Sequence, residues 1–115
     1  MIQAIELKLN NWVAYEGKYW QVDSLSNFPT IGITDGKEQL ICNDINPIEL
    51  SPDILEGCGF LLEEDSWYDK HGVRILFHDK GITVVFSSIV MPVQYLHVLQ
   101  NLIFALTGTE LKANL

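Results

Sequence analysis

The sequence predicts an α+β protein: an N-terminal SH3-like small β-barrel over residues 1–50, then a short helix, a three-stranded antiparallel meander and a long C-terminal helix over 51–115, the two halves packed as one unit. Three observations carry this expectation. Short aromatic and β-branched runs alternate with Gly-containing turns in residues 12–42, and further turn signals at 69–72 and 78–81 separate three apolar runs. Residues 94–108 then repeat their apolar side chains at helical spacing.

In the first half, Trp12-Val13-Ala14-Tyr15 and Tyr19-Trp20-Gln21-Val22 flank Glu16-Gly17-Lys18, the composition of a hairpin. Ile31-Gly32-Ile33-Thr34 and Gln39-Leu40-Ile41-Cys42 flank Asp35-Gly36-Lys37 in the same way, with Gly suited to the tight turn. Asn43 to Ile48 reads as a turn or a short irregular piece. Four or five short, strongly bent strands in so little chain suggest the barrel.

The second half opens at Ser51-Pro52, where Ser can cap and Pro can start a short helix running through Cys58 and closed by Gly59. Ile54, Leu55 and Cys58 form its apolar side. Trp67-Tyr68, Val73 to Phe77 and Ile82 to Phe86 follow, separated by Asp69-Lys70-His71-Gly72 and His78-Asp79-Lys80-Gly81. Val73, Ile75 and Phe77 alternate onto one face, as do Ile82, Val84 and Phe86, giving one apolar sheet face to receive a helix. That helix is expected over 92–107, started by Pro92 and stopped by Gly108. At about 100° per residue, Tyr95, Leu96, Leu99, Leu102, Ile103 and Leu106 form its core stripe, and Val93, Gln94, His97, Gln100, Asn101 and Phe104 lie opposite. The tail from Leu111 to Leu115 is expected to be loosely held.

A chain of 115 residues is long enough to bury a core, and 48% hydrophobic with 19% charged residues is ordinary for a globular protein. No apolar run approaches the ~20 residues of a membrane span, and Glu6 and Lys8 interrupt what a signal peptide would keep apolar, so cytoplasmic residence away from membranes is expected. Seven Lys plus Arg against fifteen Asp plus Glu give a net charge of −8, the opposite of the basic patch that neutralises phosphates, so direct nucleic-acid binding is not expected. An acidic mimic that occupies a basic protein stays open, although the acidic residues are spread along the chain. Cys42 and Cys58 sit in no C-x-x-C or zinc spacing and read as small buried hydrophobes.

A search for chemistry returns little. His71 and His78 bracket one predicted strand, which at ~3.3 Å per residue holds them roughly 20 Å apart, too far to share one ion. His97 has no carboxylate or second His three or four residues on, Glu63-Glu64-Asp65 lacks the calcium-loop pattern, and the serines lack a G-x-S-x-G setting. No catalytic residue, metal ligand or cofactor is therefore assigned. Candidate binding residues are His97, Gln100, Asn101 and Phe104 on the outer helix face. A second candidate is Tyr19 with Trp20, in the aromatic cluster Trp12, Tyr15, Tyr19, Trp20 and Phe28.

The segment Leu96-His97-x-Leu99-Gln100-Asn101-Leu102-x-Phe104-Ala105-Leu106-Thr107-Gly108-x-Glu110-Leu111 resembles the C-terminal signature of a family of uncharacterised small proteins from Bacteroides-type bacteria and their phages. The resemblance extends to Glu6-Leu7-x-Leu9-x-Asn11-x-Val13 and to Ile45-x-Pro47-Ile48-x-Leu50-x-x-x-Ile54-Leu55-x-x-Cys58-Gly59-Phe60. Relatives carry Gly where Asn10 stands, and Asn is the next best residue for a left-handed backbone. The resemblance implies a prophage or mobile-element context and no catalytic residues. The expectation is a non-catalytic interaction module that binds a protein partner or a second copy of itself. The alternatives are an acidic accessory protein that inhibits a basic nucleic-acid-associated host protein, or an enzyme whose carboxylates only the fold brings together.

Overall fold

Two-residue turns organise most of this chain, because each joins neighbouring strands and fixes their register. The structure, a computed structural model, describes residues 7–25 and 30–115; Phe28, and Glu6 at the start of the resemblance, lie outside the described residues. The chain divides into two compact units, Met1–Ile48 and Glu49–Leu115.

In the first unit, strands β1 (Trp12–Tyr15), β2 (Lys18–Ser24), β3 (Ile31–Thr34) and β4 (Gln39–Cys42) form an antiparallel sheet in sequence order. Tyr15 pairs with Lys18 across Glu16 (φ 52°) and Gly17 (φ 73°), a type I′ turn whose twist matches the strands it joins. The β3–β4 turn is tied by Asp35, whose carboxylate accepts from the backbone N–H of Lys37 and of Glu38, both at 2.8 Å, and pairs with Lys18. Val13, Trp20, Val22, Ile31, Ile33 and Ile45 are the core of this unit.

The expected SH3-like barrel is not formed. Ala14 and Asn46 exchange backbone hydrogen bonds of 2.8 Å, but this is a single bridge at the open side of β1 and not a fifth strand. Pro47 follows at once and has no N–H with which to continue a ladder, so the four-stranded sheet stays open.

The second unit begins earlier than the helix at its head, since Leu50 donates to Gln94 at 2.9 Å and Glu49 bridges Tyr95. Helix α1 spans Pro52–Gly57, with Pro at its first turn and the Ser51 hydroxyl accepting from the Ile54 N–H at 3.3 Å. Five strands follow: β5 (Leu61–Glu63), β6 (Ser66–Tyr68), β7 (Arg74–His78), β8 (Gly81–Phe86) and β9 (Ile89–Val93), paired in that order. Helix α2 (Leu96–Thr107) ends the regular structure, with Gly108 in the left-handed cap conformation at φ 73°.

Three parts of the expected second half are thereby corrected. The meander has five strands and not three, because β5 and β9 flank the anticipated trio. The C-terminal helix is twelve residues long and not the long helix expected over 92–107. Pro92, read as a helix opener, instead pairs with Thr83 in edge strand β9, a position where a missing N–H is tolerated. Among the described residues the protein is thus mostly β, two antiparallel sheets with two short helices. Just past the end of β9, Leu50 pairs with Gln94 and Glu49 bridges Tyr95, and Pro52 and Pro92 both lack the donor that would extend that pairing.

One face of the five-stranded sheet carries the interior: Ile75 is opposite Val84, Ile82 is opposite Val93, and Ile75, Val84 and Val93 are buried together with Val73. Each fully buried aliphatic side chain of this kind stabilises the fold by roughly 1.5–3 kcal/mol. From the helices, Ile54, Leu55, Leu96, Leu99 and Ile103 are buried too.

Glu16 is the strained member of the first turn, since a side chain at positive φ costs about 1 kcal/mol relative to Asn or Gly. Glu16→Asn is therefore expected to raise stability by up to about 1 kcal/mol, read as a higher denaturation midpoint in urea at unchanged slope.

Candidate functional site

The side chains singled out on α2 divide between interior and surface. His97 is 1% exposed and Gln100 is also buried, whereas Asn101 is half-buried and Phe104 is 40% exposed. The anticipated outer face is thus rotated by about 60° from the true one at 100° per residue. The buried stripe is centred on Leu96, Leu99, Gln100 and Ile103, and Leu102 and Leu106, expected in the core, are only half-buried. Local bonding explains the rotation: the Gln100 side-chain amide donates to the Leu111 carbonyl at 3.4 Å, and the His97 ring stacks on Tyr95 at 6.0 Å between centroids. His97, Gln100 and Phe104 therefore do not share an exposed surface.

The first unit gives the same result. Trp20 is buried in its core, donating from the indole N–H to the Tyr15 carbonyl at 3.2 Å and meeting the Tyr15 ring edge-on, while Lys18 lies over its face at 4.8 Å. Tyr19, one residue away on a pleated strand, points the opposite way and is exposed. Trp20 and Tyr19 cannot form one contact surface.

What the sequence reading missed is the reverse face of the five-stranded sheet. The register places Leu61, Tyr68, Arg74, Val85 and Val90 in one row across all five strands, on the side opposite Ile75 and Val84. Leu61 is 71% exposed and Val90 65% exposed at the two ends of that row, with Tyr68, Arg74 and Val85 partly exposed between them. The Arg74 guanidinium lies 5.9 Å from the centre of the Tyr68 ring and donates to the Ser66 hydroxyl at 3.0 Å in the middle of the row. Leu76, Thr83 and Pro92 continue the face in the next row. The signal was present in the sequence as two apolar runs, Leu61-Leu62 and Ile89-Val90-Met91, left outside the expected strands.

Two concavities belong to the second unit. One of about 570 Å³ is walled by Glu49, Lys80, Gln94, Tyr95 and Val98 at the start of α2. The other, about 400 Å³, has Cys58 and Ile103 as its floor, the 69–71 turn on one side and Thr109 to Lys112 on another. Asp69 in that turn is committed to backbone, accepting from the N–H of His71 at 2.9 Å and of Val73 at 2.8 Å. His78, at the far end of β7, contacts the Thr83 hydroxyl at 2.6 Å. Among the described residues, no group of three or more His, Cys, Asp or Glu is placed to hold a metal ion. No helix among them is long and apolar enough to cross a membrane.

Both cysteines are free thiols. Burial pushes the Cys58 thiol up to about 11, and burial, with a smaller contribution from the charge of Asp44, also raises Cys42. Compared with protein-family models, with curated proteins and with solved structures, the chain matches none.

A thiol held mostly protonated is a poor nucleophile, because only the thiolate attacks. Cys58 in the native protein is therefore expected to react far more slowly than in the urea-unfolded chain with a disulfide reagent at pH 8, measured by the modified fraction at Cys58 in peptide mass maps; equal rates would contradict its burial.

Proposed function

We propose that this protein is a non-catalytic interaction module whose contact surface is the reverse face of its five-stranded sheet. The observation that carries the reading is the row from Leu61 to Val90, with large apolar side chains most exposed at both ends and an aromatic–arginine pair at its centre. Exposed apolar surface of this kind costs solubility unless something covers it, and Tyr and Arg are residues that dominate the energetics of protein contacts. A protein partner fits this face better than a nucleic acid, given the net charge of −8. The resemblance of the C-terminal segment to small proteins of Bacteroides-type bacteria and their phages suggests a partner from a prophage or its host, met in the cytoplasm.

The charge supports a second reading, an acidic accessory protein that blocks a basic, nucleic-acid-associated host protein. Such a complex would weaken steeply with salt, since exposed charges are screened within about 10 Å at 0.1 M.

The test is capture from host lysate at two salt concentrations, with and without nuclease, using the native protein and the variants Val90→Asp, Leu61→Asp and Phe104→Asp. On the sheet-face reading, Val90→Asp and Leu61→Asp weaken the captured complex on the order of thirty-fold, the effect of losing about 2 kcal/mol at a hot spot, with unchanged circular dichroism. Loss of binding in Phe104→Asp alone would move the interface to α2 and remove the sheet from it. Loss at the higher salt in every variant would favour the acidic inhibitor.

A further inference from the structure

The segment after α2 has no regular secondary structure, yet it is fastened at several points. Gly108 donates to the Phe104 carbonyl at 2.8 Å and Thr109 to the Thr107 hydroxyl at 3.1 Å, which turns the chain back along the unit. The Gln100 side chain then reaches the Leu111 carbonyl, and Asn114 donates its backbone N–H to the Gly57 carbonyl at 2.8 Å. Gly57 is the last residue of α1, so its carbonyl is one of those a helix leaves without an internal partner, and the tail supplies one. The loose tail expected from the sequence is thus corrected to a docked segment.

The fit at Gly57 is close. A Cβ there would come within 3.2 Å of both the Asn114 carbonyl oxygen and the Leu115 side chain, so the helix end has been left bare where the tail crosses it. Upstream of that crossing, Thr109 to Lys112 form one wall of the 400 Å³ cavity over Cys58 and Ile103.

We propose that residues 109–115 are a detachable strap, and that its release, independent of the unfolding of α1, α2 or the sheet, opens the cavity and exposes Cys58. Among the described residues the attachment beyond the Thr107–Thr109 turn is limited to one ordinary backbone hydrogen bond, one long side-chain bond and the half-buried Leu111 and Ala113. The elements beneath it are fixed by separate apolar contacts from the interior. A segment held by few bonds over a packed body opens at lower free energy than the body itself. Strap release therefore presents a groove with an apolar floor and a thiol, a surface the closed form withholds.

Gly57→Ala and Asn114→Pro test this on the whole chain. In an α-helix Ala is favoured over Gly, so Gly57→Ala should leave α1 intact or firmer while pushing the strap away, and Asn114→Pro removes the donor without touching the helices. The expected result is a roughly tenfold faster modification of Cys58 by a disulfide reagent in Asn114→Pro, the consequence of losing one hydrogen bond, and a smaller acceleration in Gly57→Ala, whose carbonyl still accepts from Asn114 while its Cβ crowds the strap. The rate at Cys42 and the urea midpoint stay at native values. Two results would overturn the proposal: a native Cys58 rate in Asn114→Pro, or acceleration of both thiols in proportion to a fall in global stability.

Discussion

The tight turn is the constraint on which both sheets depend. Strand side chains alternate with period two, so a slip of one residue at any hairpin would exchange the two faces of every strand beyond it. In the second unit that exchange would bring Arg74 and Thr83 inward and turn Ile75, Val84 and Val93 out to water. The chain prevents it with two-residue connections, Glu64-Asp65 between Glu63 and Ser66 and Ser87-Ser88 between Phe86 and Ile89, each opened by a residue at positive φ. No side chain at these turns is ideal for that backbone. The strain is outweighed because the buried aliphatic row on one face exists in a single register only.

Polarity on α2 and the sheet runs against the usual pattern. The polar side chains that suggested a binding face, His97 and Gln100, are inside, and among the large apolar residues of the sheet Leu61 and Val90 are the most exposed. Burying a polar group without compensation costs about 1–3 kcal/mol, so Gln100 is stable in the interior only with a partner such as the Leu111 carbonyl. The two observations are complementary: Gln100 on the helix reaches the chain's own tail, whereas Leu61 and Val90 on the sheet are exposed.

Several features were legible because local chemistry determines them. The two hairpins of residues 12–42, the Ser51 cap with Pro52 and the stop at Gly108 all depend on residues within a few positions of each other, and Asn10 takes the left-handed backbone, at φ 72°, that its kinship with Gly suggests. The errors arose where a distant partner decides. Barrel closure depended on whether residues 43–48 could pair along β1, and Pro47 limits them to one bridge. Strands β5 and β9 escaped notice because one has three residues and the other contains Pro92, which is excluded from central strands but not from an edge. The helix phase was misjudged because apolar periodicity cannot register a buried amide whose partner lies eleven residues further on. The proposed sheet face went unnoticed for the same reason, since its most exposed members come from those two overlooked strands.

Among the described residues, the strands of each sheet pair in the order in which they occur in the chain. Folding therefore requires few long loop closures, and the slow search that delays most β proteins is largely avoided. Each hairpin can be completed as soon as its second strand has left the ribosome, so the first sheet can form before the second has been synthesised. An exposed apolar sheet face is hazardous chiefly during the interval when strand edges are still unpaired. A topology that shortens this interval reduces the time for which such a face lies beside unpaired edges.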